Sequence, residues 1–491
     1  MGQTVRFRNH RIVGFAGMLL FVLVCLADSM ALLLMNTSKG YRFLFLLPLS
    51  YMVANLLFLP LTQKSCNYRR GYPYLVAQVV IAYRYLALPL ACVYTDTFGG
   101  WTITGANGFG IEPGKAAMAS ATLWMCTEAF FAELALYIGT RITARKEKRR
   151  LRIEKEYGGH TQQTTFLSSK VVLVLYSICA FLLLFLFQRQ LFSQFLVLSD
   201  DYAMGDNAAS GSFYKVIFFA LRIALLMLGY AFCSKHYQVS RKKGWILLAM
   251  LFLVIYIGYS IGVSRWNLIL PVIASVDLCR ELFKPFPKSL LVGVVCVAVI
   301  GVFSITFFKY GYLIASSSHP ISSMIILVFQ QSNEYIAGPR SVAQGLEMLE
   351  KYGNRVSIST FFNSIFSGFA GLASITNEAD KLGSLFNLYC SGRMQDKPLI
   401  CPIIVEGLAF FPVFPWIFMM IFEVLMCELD YLSQTARRFE MRFLAAYLGI
   451  WFALCFAVNT KIEMSQISQM LAVWLLFKVN SKIRMSKRLK R

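Results

Sequence analysis

Charged residues are scarce in this sequence, at 15% of 491 positions, whereas 57% of the positions are hydrophobic. A soluble globular domain carries roughly 25% charged residues, because its surface has to face water. The shortage of charge therefore excludes an ordinary soluble fold and predicts a protein that crosses a membrane several times.

The sequence also lacks the short motifs of several enzyme and metal-binding classes. A glycine-rich phosphate loop, a nucleophile elbow and an HExxH pair are absent, so ATP hydrolysis and serine or zinc hydrolase chemistry have no support. The twelve cysteines form no CxxC pair and the four histidines are far apart, so neither a metal site nor a cofactor is expected. Cys390 and Cys401, near the predicted outer face, justify a test for a disulfide, although packing residues are the favoured interpretation.

Long apolar runs, in contrast, are abundant. Runs of roughly 18 to 25 residues, each able to cross about 30 Å of hydrocarbon as a helix, recur about twelve times. We therefore predict an all-α integral membrane protein with about twelve transmembrane helices and one large extracytoplasmic loop. The predicted spans are residues 12–35, 41–62, 73–95, 115–139, 168–188, 213–234, 244–263, 266–283, 288–308, 399–427, 441–459 and 462–480.

Positive charge alternates from one predicted loop to the next. The formal net charge is +23, and the basic clusters, including the 141–155 tract, all fall on the same side of a twelve-helix count. The positive-inside rule then predicts that both termini are cytoplasmic and that residues 309–398 are outside. The 141–155 tract could bind RNA, but orientation and anionic lipid explain it more simply, so no nucleic-acid partner is expected.

Residues 309–398, here called the polar segment, are the only sizeable interruption of the apolar pattern. The predicted organisation is therefore transmembrane helices 1–9 (1–308), an extracytoplasmic loop with short helices (309–398), transmembrane helices 10–12 (399–480) and a basic cytoplasmic tail (481–491). A polar loop of this length is typical of a substrate-handling lid rather than of a connector.

One stretch of the polar segment predicts an amphipathic helix. It follows Gly338-Pro339, starts at Arg340, pairs Glu347 with Lys351 four residues later, and ends at Gly353. The alternative interpretation is a helix that merely lies on the bilayer.

Ionisable residues within the predicted spans are costly unless they have a partner or contact water. Arg84 and Glu128 lie near the middle of the third and fourth spans, at similar depth when counted at about 1.5 Å per residue. We predict an ion pair, for which a structural role is slightly favoured over a substrate role. Arg222 lies at comparable depth and could join the pair or face a polar cavity. Four acidic residues are nearer predicted helix ends, where snorkelling or a local basic partner explains them: Asp28, Glu133, Asp277 and Glu423.

Two predicted outer helix ends carry cations. The run from Gly258 to Asn267 forms a tight turn that leaves Arg265 at the membrane boundary. A guanidinium there matches the oxygens of a lipid-linked phosphate, although an interfacial anchor is an equal alternative. The next outer end offers Lys309 beside Tyr310, whose ring could stack on a sugar.

The residues around Arg265 and Lys309 resemble short motifs of a known protein family. Gly262-Val-Ser-Arg265-Trp-Asn267, a following helix and Lys309-Tyr310-Gly311 resemble the Wzy-type oligosaccharide repeat-unit polymerases, which include O-antigen, capsule and enterobacterial common antigen polymerases. The likeness continues through the long loop, Glu406-Gly407 and a late hairpin with Lys461 and Glu463, and covers roughly residues 255 to 475. The family has an arginine where Lys461 stands.

The resemblance implies a glycosyltransferase of the bacterial inner membrane that uses no nucleotide sugar. It transfers a glycan from undecaprenyl pyrophosphate to a sugar hydroxyl of an incoming lipid-linked repeat unit. Arg265, with Lys309 or Arg340, is then expected to bind the donor phosphate. Glu406 is expected to accept the hydroxyl proton, with helix capping or ion pairing as an equal alternative.

The remaining substrate-binding candidates are Tyr310, Lys461, Arg84 and Arg222. The implied partners are the undecaprenyl-pyrophosphate-linked oligosaccharide, membrane lipid and a co-polymerase that regulates chain length. A flippase for lipid-linked oligosaccharide, or another secondary transporter, remains an alternative that midplane charges would suit. A non-catalytic membrane scaffold is a third. The long outer loop and the boundary arginine favour the polymerase, and the lack of a visible internal repeat disfavours the transporter.

Overall fold

The computed structural model describes most of the chain in continuous stretches. These are residues 2–35, 41–65, 70–97, 111–156, 170–193, 195, 212–259, 265–287, 335–377, 380–392 and 399–489, with isolated positions at 292, 293, 296, 300, 304, 324, 325 and 328. This described part of the chain is helical and contains no β-strand. The predicted all-α class is therefore confirmed for it.

The helices before the polar segment are α1 (Gly2–Leu34), α2 (Leu46–Ser65), α3 (Tyr72–Ala82), α4 (Leu88–Thr97), α5 (Lys115–Glu156), α6 (Val171–Phe187), α7 (Gln190–Ser193), α8 (Ser212–Ser240), α9 (Gly244–Gly258) and α10 (Arg265–Leu282). A π-helical turn, Tyr83–Ala87, joins α3 to α4. The later helices are α11 (Pro339–Tyr352), α12 (Ile358–Phe366), α13 (Leu382–Ser391), α14 (Ile403–Phe410), α15 (Ile417–Thr435), α16 (Phe439–Ala453) and α17 (Thr460–Leu489).

Five stretches of the described chain are long and apolar enough to cross a membrane: Gly17–Leu34, Tyr41–Gln63, Tyr72–Tyr94, Lys115–Glu156 and Phe213–Ser240. Two further apolar helices, α6 and α9, are shorter. These lengths and compositions support an all-helical membrane protein. The count of twelve spans, the outer position of the polar segment and the orientation of the termini stay predictions.

The predicted tenth span, residues 399–427, is not one helix. α14 ends at Phe410 and α15 begins at Ile417, and the intervening turn contains Pro412 and Pro415. Proline lacks the amide donor that a helix interior needs, so two prolines three residues apart stop the helix. A Cβ atom on Gly407 would overlap the Pro415 carbonyl oxygen, which shows how closely the turn folds back on α14.

Two helices continue beyond their predicted spans. α5 runs past residue 139 to Glu156, so the basic 141–155 tract is helical rather than a loop. Lys146 in this extension forms an ion pair with Glu428 of α15 at 2.7 Å. α17 likewise continues through the predicted tail as far as Leu489.

The predicted helix of the polar segment is confirmed as α11. Gly338 is its N-cap, Pro339 is its first residue and it ends at Tyr352, before Gly353. Residues 339–345 are all buried, and the helix packs against α5, α13 and α14. A helix with such a buried first half does not merely lie on a bilayer, so the alternative interpretation is wrong.

Glu347 of α11 has other partners than the predicted Lys351. Its carboxylate accepts hydrogen bonds from the Gly114 amide at 2.7 Å and from the Tyr389 hydroxyl at 2.5 Å. Burial, together with this neighbouring carboxylate, raises the pKa of Tyr389 above its ordinary value. Lys351 instead lies over the rings of Tyr352 and Tyr389. The carboxylate therefore connects α11 to both α13 and the residue that precedes α5.

Candidate functional site

The centre of the structure is an ion pair between Arg84 and Glu128. Arg84 Nη2 donates to Glu128 Oε2 at 2.7 Å, and neither side chain is exposed. The Tyr85 hydroxyl donates to the same oxygen at 3.1 Å. Arg84 lies in the π-helical turn, a local widening of a helix that is frequent at functional sites. The predicted ion pair between Arg84 and Glu128 is therefore confirmed.

Arg84 also connects the bundle to the start of the polar segment's helices. Its Nη1 atom donates to the carbonyl oxygen of Ile336 at 2.8 Å and to that of Ala337. Ala337 has a positive φ of 46°, which an L-residue adopts only where its surroundings enforce it. The guanidinium also lies over the Phe456 ring, 4.9 Å from its centroid. These contacts give Arg84 a positioning role, and they favour the structural interpretation over substrate binding.

Arg340 has a comparable role at the start of α11. Its side chain is 2% exposed, and its Nε atom donates to the Tyr41 hydroxyl at 2.8 Å, with a second bond from Nη2. The guanidinium also lies over the Tyr41 ring at 5.4 Å. Tyr41 starts the 3₁₀ turn that precedes α2. The structure therefore places Arg340 in the protein core and connects α11 through it to the N-terminal helices.

Arg222 does not join the Arg84–Glu128 pair. Within the described residues its guanidinium lies over three aromatic rings, at 5.2 Å from Phe218, 5.8 Å from Phe219 and 5.0 Å from Tyr256. Cation–π contacts of this kind stabilise a cation that has left water. The prediction that Arg222 could share the carboxylate of Glu128 is wrong.

Glu406 lies where α14 meets the N-terminus of α17. Its Oε2 atom accepts a bond from the Thr460 amide at 2.9 Å and another from the Thr460 hydroxyl. A carboxylate that accepts a free amide at a helix N-terminus caps the helix and complements its dipole. The capping alternative for Glu406 is therefore the one that this geometry supports. Both bonds use Oε2, and neither uses Oε1.

Lys461 directly follows the capped Thr460. It is half-buried, and its ammonium group has no bonding partner among the described residues. The turn after α12 packs against it, because a Cβ atom on Gly368 would overlap the Lys461 carbonyl oxygen. The Ala370 amide donates to the Ser468 hydroxyl of α17 at 3.0 Å. Lys461, Glu406 and the polar segment thus meet at one place, here called the α17 junction.

Three sequence-predicted site residues have side chains that lie outside the described part of the chain. Arg265 is the first residue of α10, and the position of its side chain is outside the described part of the chain. Lys309 and Tyr310 lie outside the described residues altogether. Cys390 and Cys401 are both buried and neither is in a disulfide. The structure therefore supports the interpretation that both cysteines are packing residues.

Sequence reasoning missed the buried carboxylates of α15 and α17. Glu423 and Glu463 are each 0% exposed, although Glu423 was expected to snorkel near a helix end. It lies instead in the interior of α15, because the helix continues past the predicted end at residue 427 to Thr435. Glu133 is also buried, with Asn55 and Gln78 as donors at 3.3 and 3.4 Å.

No protein-family model, curated protein or solved structure matches this chain. The function therefore has to be argued from the geometry of the chain itself.

Proposed function

We propose that the protein is a glycosyltransferase that polymerises undecaprenyl-pyrophosphate-linked oligosaccharide repeat units into a surface polysaccharide. The proposed location is the outer face of the bacterial cytoplasmic membrane. The observation that carries the proposal is the α17 junction, where Lys461 directly follows the Thr460 that the Glu406 carboxylate caps, beside the polar segment. A cation beside a proton acceptor is the combination that transfer from a pyrophosphate donor requires.

The chemistry divides between these two charges. In the reaction, the bond from the anomeric carbon to the pyrophosphate oxygen breaks and the acceptor hydroxyl oxygen takes its place. The departing pyrophosphate gains negative charge, which Lys461 and the N-terminal dipole of α17 would stabilise. The hydroxyl proton would pass to Oε1 of Glu406, since the bonds from Thr460 go to Oε2. Arg265 is the second proposed donor-phosphate ligand, through the resemblance.

Arg84 and Arg340 enter this proposal as positioning residues. Both are engaged by protein partners at the start of α11, so neither offers a vacant fork of donors to a phosphate. Their contacts determine where the polar segment lies relative to the bundle, and α12 of that segment packs against α17. Substitution of either residue should therefore reduce folded protein as well as polymerisation.

The gel banding of surface glycolipid tests the proposal. Arg265→Ala and Lys461→Ala should each reduce a polysaccharide ladder to glycolipid with one repeat unit, and Arg265→Lys should already impair it, because phosphate recognition needs the guanidinium geometry. Lys478→Ala is the matched control: Lys478 lies on the same helix, over Trp474, and the ladder should persist. A full ladder in well-expressed Arg265→Ala and Lys461→Ala strains would exclude these roles.

A second candidate is a secondary transporter or flippase of lipid-linked oligosaccharide, and one observation favours it. Glu423 and Glu463 are buried acids within the bundle, and such acids mark ion pathways in transporters. A deletion strain separates the two. Retention of glycolipid with a single repeat unit supports the polymerase, whereas loss of that band as well supports the flippase.

A further inference from the structure

Two glutamates in the interior of the bundle have almost no hydrogen-bond donors. Glu463 is 0% exposed, and neither of its carboxylate oxygens has a partner in the described part of the chain. Glu423 is also 0% exposed, and its Oε2 atom has no partner among the residues that the structure describes. Within the same residues its Oε1 atom has the Cys455 thiol alone, at 4.0 Å, and a thiol is a weak donor. Ionised carboxylates normally avoid such surroundings, because burial without donors costs several kcal/mol.

The charges around these glutamates do not balance. Glu423 Oε1 lies 4.0 Å from the Cys455 sulfur, and the Arg84 guanidinium lies over the ring of the next residue, Phe456, at 4.9 Å. Glu463 is within electrostatic range of the same thiol. The Arg84 ion pair, however, is with Glu128. Among the described residues, neither Glu423 nor Glu463 forms an ion pair with Arg84.

A second acceptor lies next to Glu463 on α17. Gln466 is three residues further along the helix, so its side chain and that of Glu463 are neighbours on the same face. The Oε1 atom of Gln466 is buried and has no partner among the described residues. A carboxylate oxygen and an amide oxygen cannot hydrogen bond to one another, since both only accept. A proton on Glu463 would let its carboxyl group donate to the Gln466 amide oxygen.

A metal ion does not fit the arrangement. The described residues contain no group of three or more His, Cys, Asp or Glu side chains that could hold a metal. A divalent cation needs a set of converging ligands, whereas a proton needs a single carboxylate. The geometry of the described residues therefore favours a proton over a divalent metal ion.

We propose that Glu423 and Glu463 form a proton-binding site in the bundle, in which each side chain is a neutral carboxylic acid beside the Arg84–Glu128 ion pair. Release of either proton would present Arg84 with a second carboxylate. Protonation at this site would therefore preserve the contact of Arg84 with Glu128 and with the residues before α11. The site is independent of glycan transfer, which the proposed function assigns to the α17 junction.

Infrared spectroscopy of the purified full-length protein at neutral pH tests the proposal. A protonated carboxylic acid has a carbonyl stretching band that is separate from the bands of carboxylates and amides. The wild-type protein should show this band, and it should decrease in Glu463→Gln and in Glu423→Gln. Glu428→Gln, on the same helix as Glu423, is the control: its carboxylate is partly exposed and paired with Lys146, so the band should be unchanged. Glu128→Gln serves the unfolding measurement alone, because removing that carboxylate takes away the partner of Arg84.

Thermal unfolding of the same variants gives a second readout. Glu463→Gln should unfold at the same temperature as the wild type or higher, because a glutamine resembles the neutral acid in size and polarity. Glu128→Gln should unfold at a lower temperature, since Arg84 then keeps its charge without the carboxylate. Absence of the band in the wild type, or a band that neither Glu463→Gln nor Glu423→Gln reduces, would overturn the proposal. A wild-type spectrum without the band overturns the proposal even where a variant fails to fold.

A sodium titration separates the proton from another monovalent ion. If Na⁺ but not K⁺ raises the unfolding temperature of the wild type and removes the acid band, sodium holds these carboxylates and the proton proposal is wrong. An unchanged band and unfolding temperature support the proton. Neither result bears on the polysaccharide ladder, so this site and the polymerase can fail separately.

Discussion

Arg84 and Glu128 form an ion pair of 2.7 Å with both side chains fully excluded from solvent, and Arg84 alone also contacts the two residues that lead into α11. One side chain thus connects three parts of the chain that are far apart in sequence. The pair does more than join two helices, because its arginine also binds the backbone of the residues that lead into α11.

The first prediction concerns this pair. Arg84→Met or Glu128→Gln should each destabilise the protein by about 3–5 kcal/mol, because each leaves an uncompensated group in a buried site. The double variant should be milder than the sum of the two, because residues in contact are energetically coupled. Thermal unfolding in detergent measures all three. Losses that simply add in the double variant would show that the two residues do not interact.

An exposed ion pair provides the control for that cycle. Lys146 and Glu428 are also 2.7 Å apart, but their side chains are 54% and 20% exposed. Exposed pairs contribute about 0–1 kcal/mol, because water screens their charges. Lys146→Met should therefore change the unfolding temperature little, and a loss as large as that of Arg84→Met would mean that burial is not the cause.

The second prediction concerns the break between α14 and α15. Gly407→Ala should strongly reduce the yield of folded protein, because the added methyl group would overlap the Pro415 carbonyl oxygen, which cannot move without its backbone. Gly353→Ala is the matched control: nothing lies within 4 Å of a Cβ atom there, so it should be tolerated. Size-exclusion profiles of the detergent-extracted variants give the answer. Equal profiles for the two variants would contradict the close approach.

The third prediction separates capping by Glu406 from proton transfer. Thr460→Val removes the hydroxyl donor to Glu406 but keeps the amide donor, so it should destabilise the protein by about 0.5–1.5 kcal/mol, the typical net contribution of one hydrogen bond. Thr460→Ser keeps a hydroxyl and should restore most of that loss. Unfolding temperatures measure both effects.

Glu406→Gln completes this comparison. Its amide oxygen can still accept from the Thr460 amide, so the cap should persist in part, but a glutamine cannot accept a proton. A stable Glu406→Gln protein that yields no polysaccharide ladder would support the proton-acceptor role. A stable variant with a full ladder would leave Glu406 with the cap alone.

The fourth prediction is a dependence on alkaline pH. The raised pKa of Tyr389 means that the folded protein retains a proton that an unfolded tyrosine, with a pKa of about 10, releases. The folded state therefore loses stability as the pH rises above about 10. Tyr389→Phe should flatten this decline when unfolding temperature is followed against pH. An identical decline in wild type and variant would show that Tyr389 is not its source.

Part of this architecture could be predicted from the sequence. Counting residues from shared helix ends placed Arg84 and Glu128 at one depth, because the rise of a helix is constant. The limits of α11 were also readable, since Gly338, Pro339 and Gly353 mark a helix start and stop by local backbone chemistry. Both predictions depend on regularities within a few residues, or on geometry that every helix shares.

The partners of the charged residues could not be predicted in the same way. Arg340 and Tyr41 are 299 positions apart, and no local pattern shows that they meet. The capping of α17 by Glu406 likewise depends on how α14 and α17 pack. The division of the tenth span is different, because Pro412 and Pro415 indicate it in the sequence. The high hydropathy of residues 399–427 nevertheless led to the prediction of one continuous span. Three arginines that were candidates for substrate binding instead contact groups of the protein: Arg84, Arg222 and Arg340.

The contacts of α11 have a mechanical consequence. Its start is bonded to Arg84 in the turn between α3 and α4, its middle is bonded through Glu347 to Gly114 ahead of α5, and Arg340 reaches Tyr41 ahead of α2. α11 therefore connects three segments of the N-terminal half of the chain to one another. A force on α11 would be shared among all three, so a movement of this helix would also shift the elements that hold it.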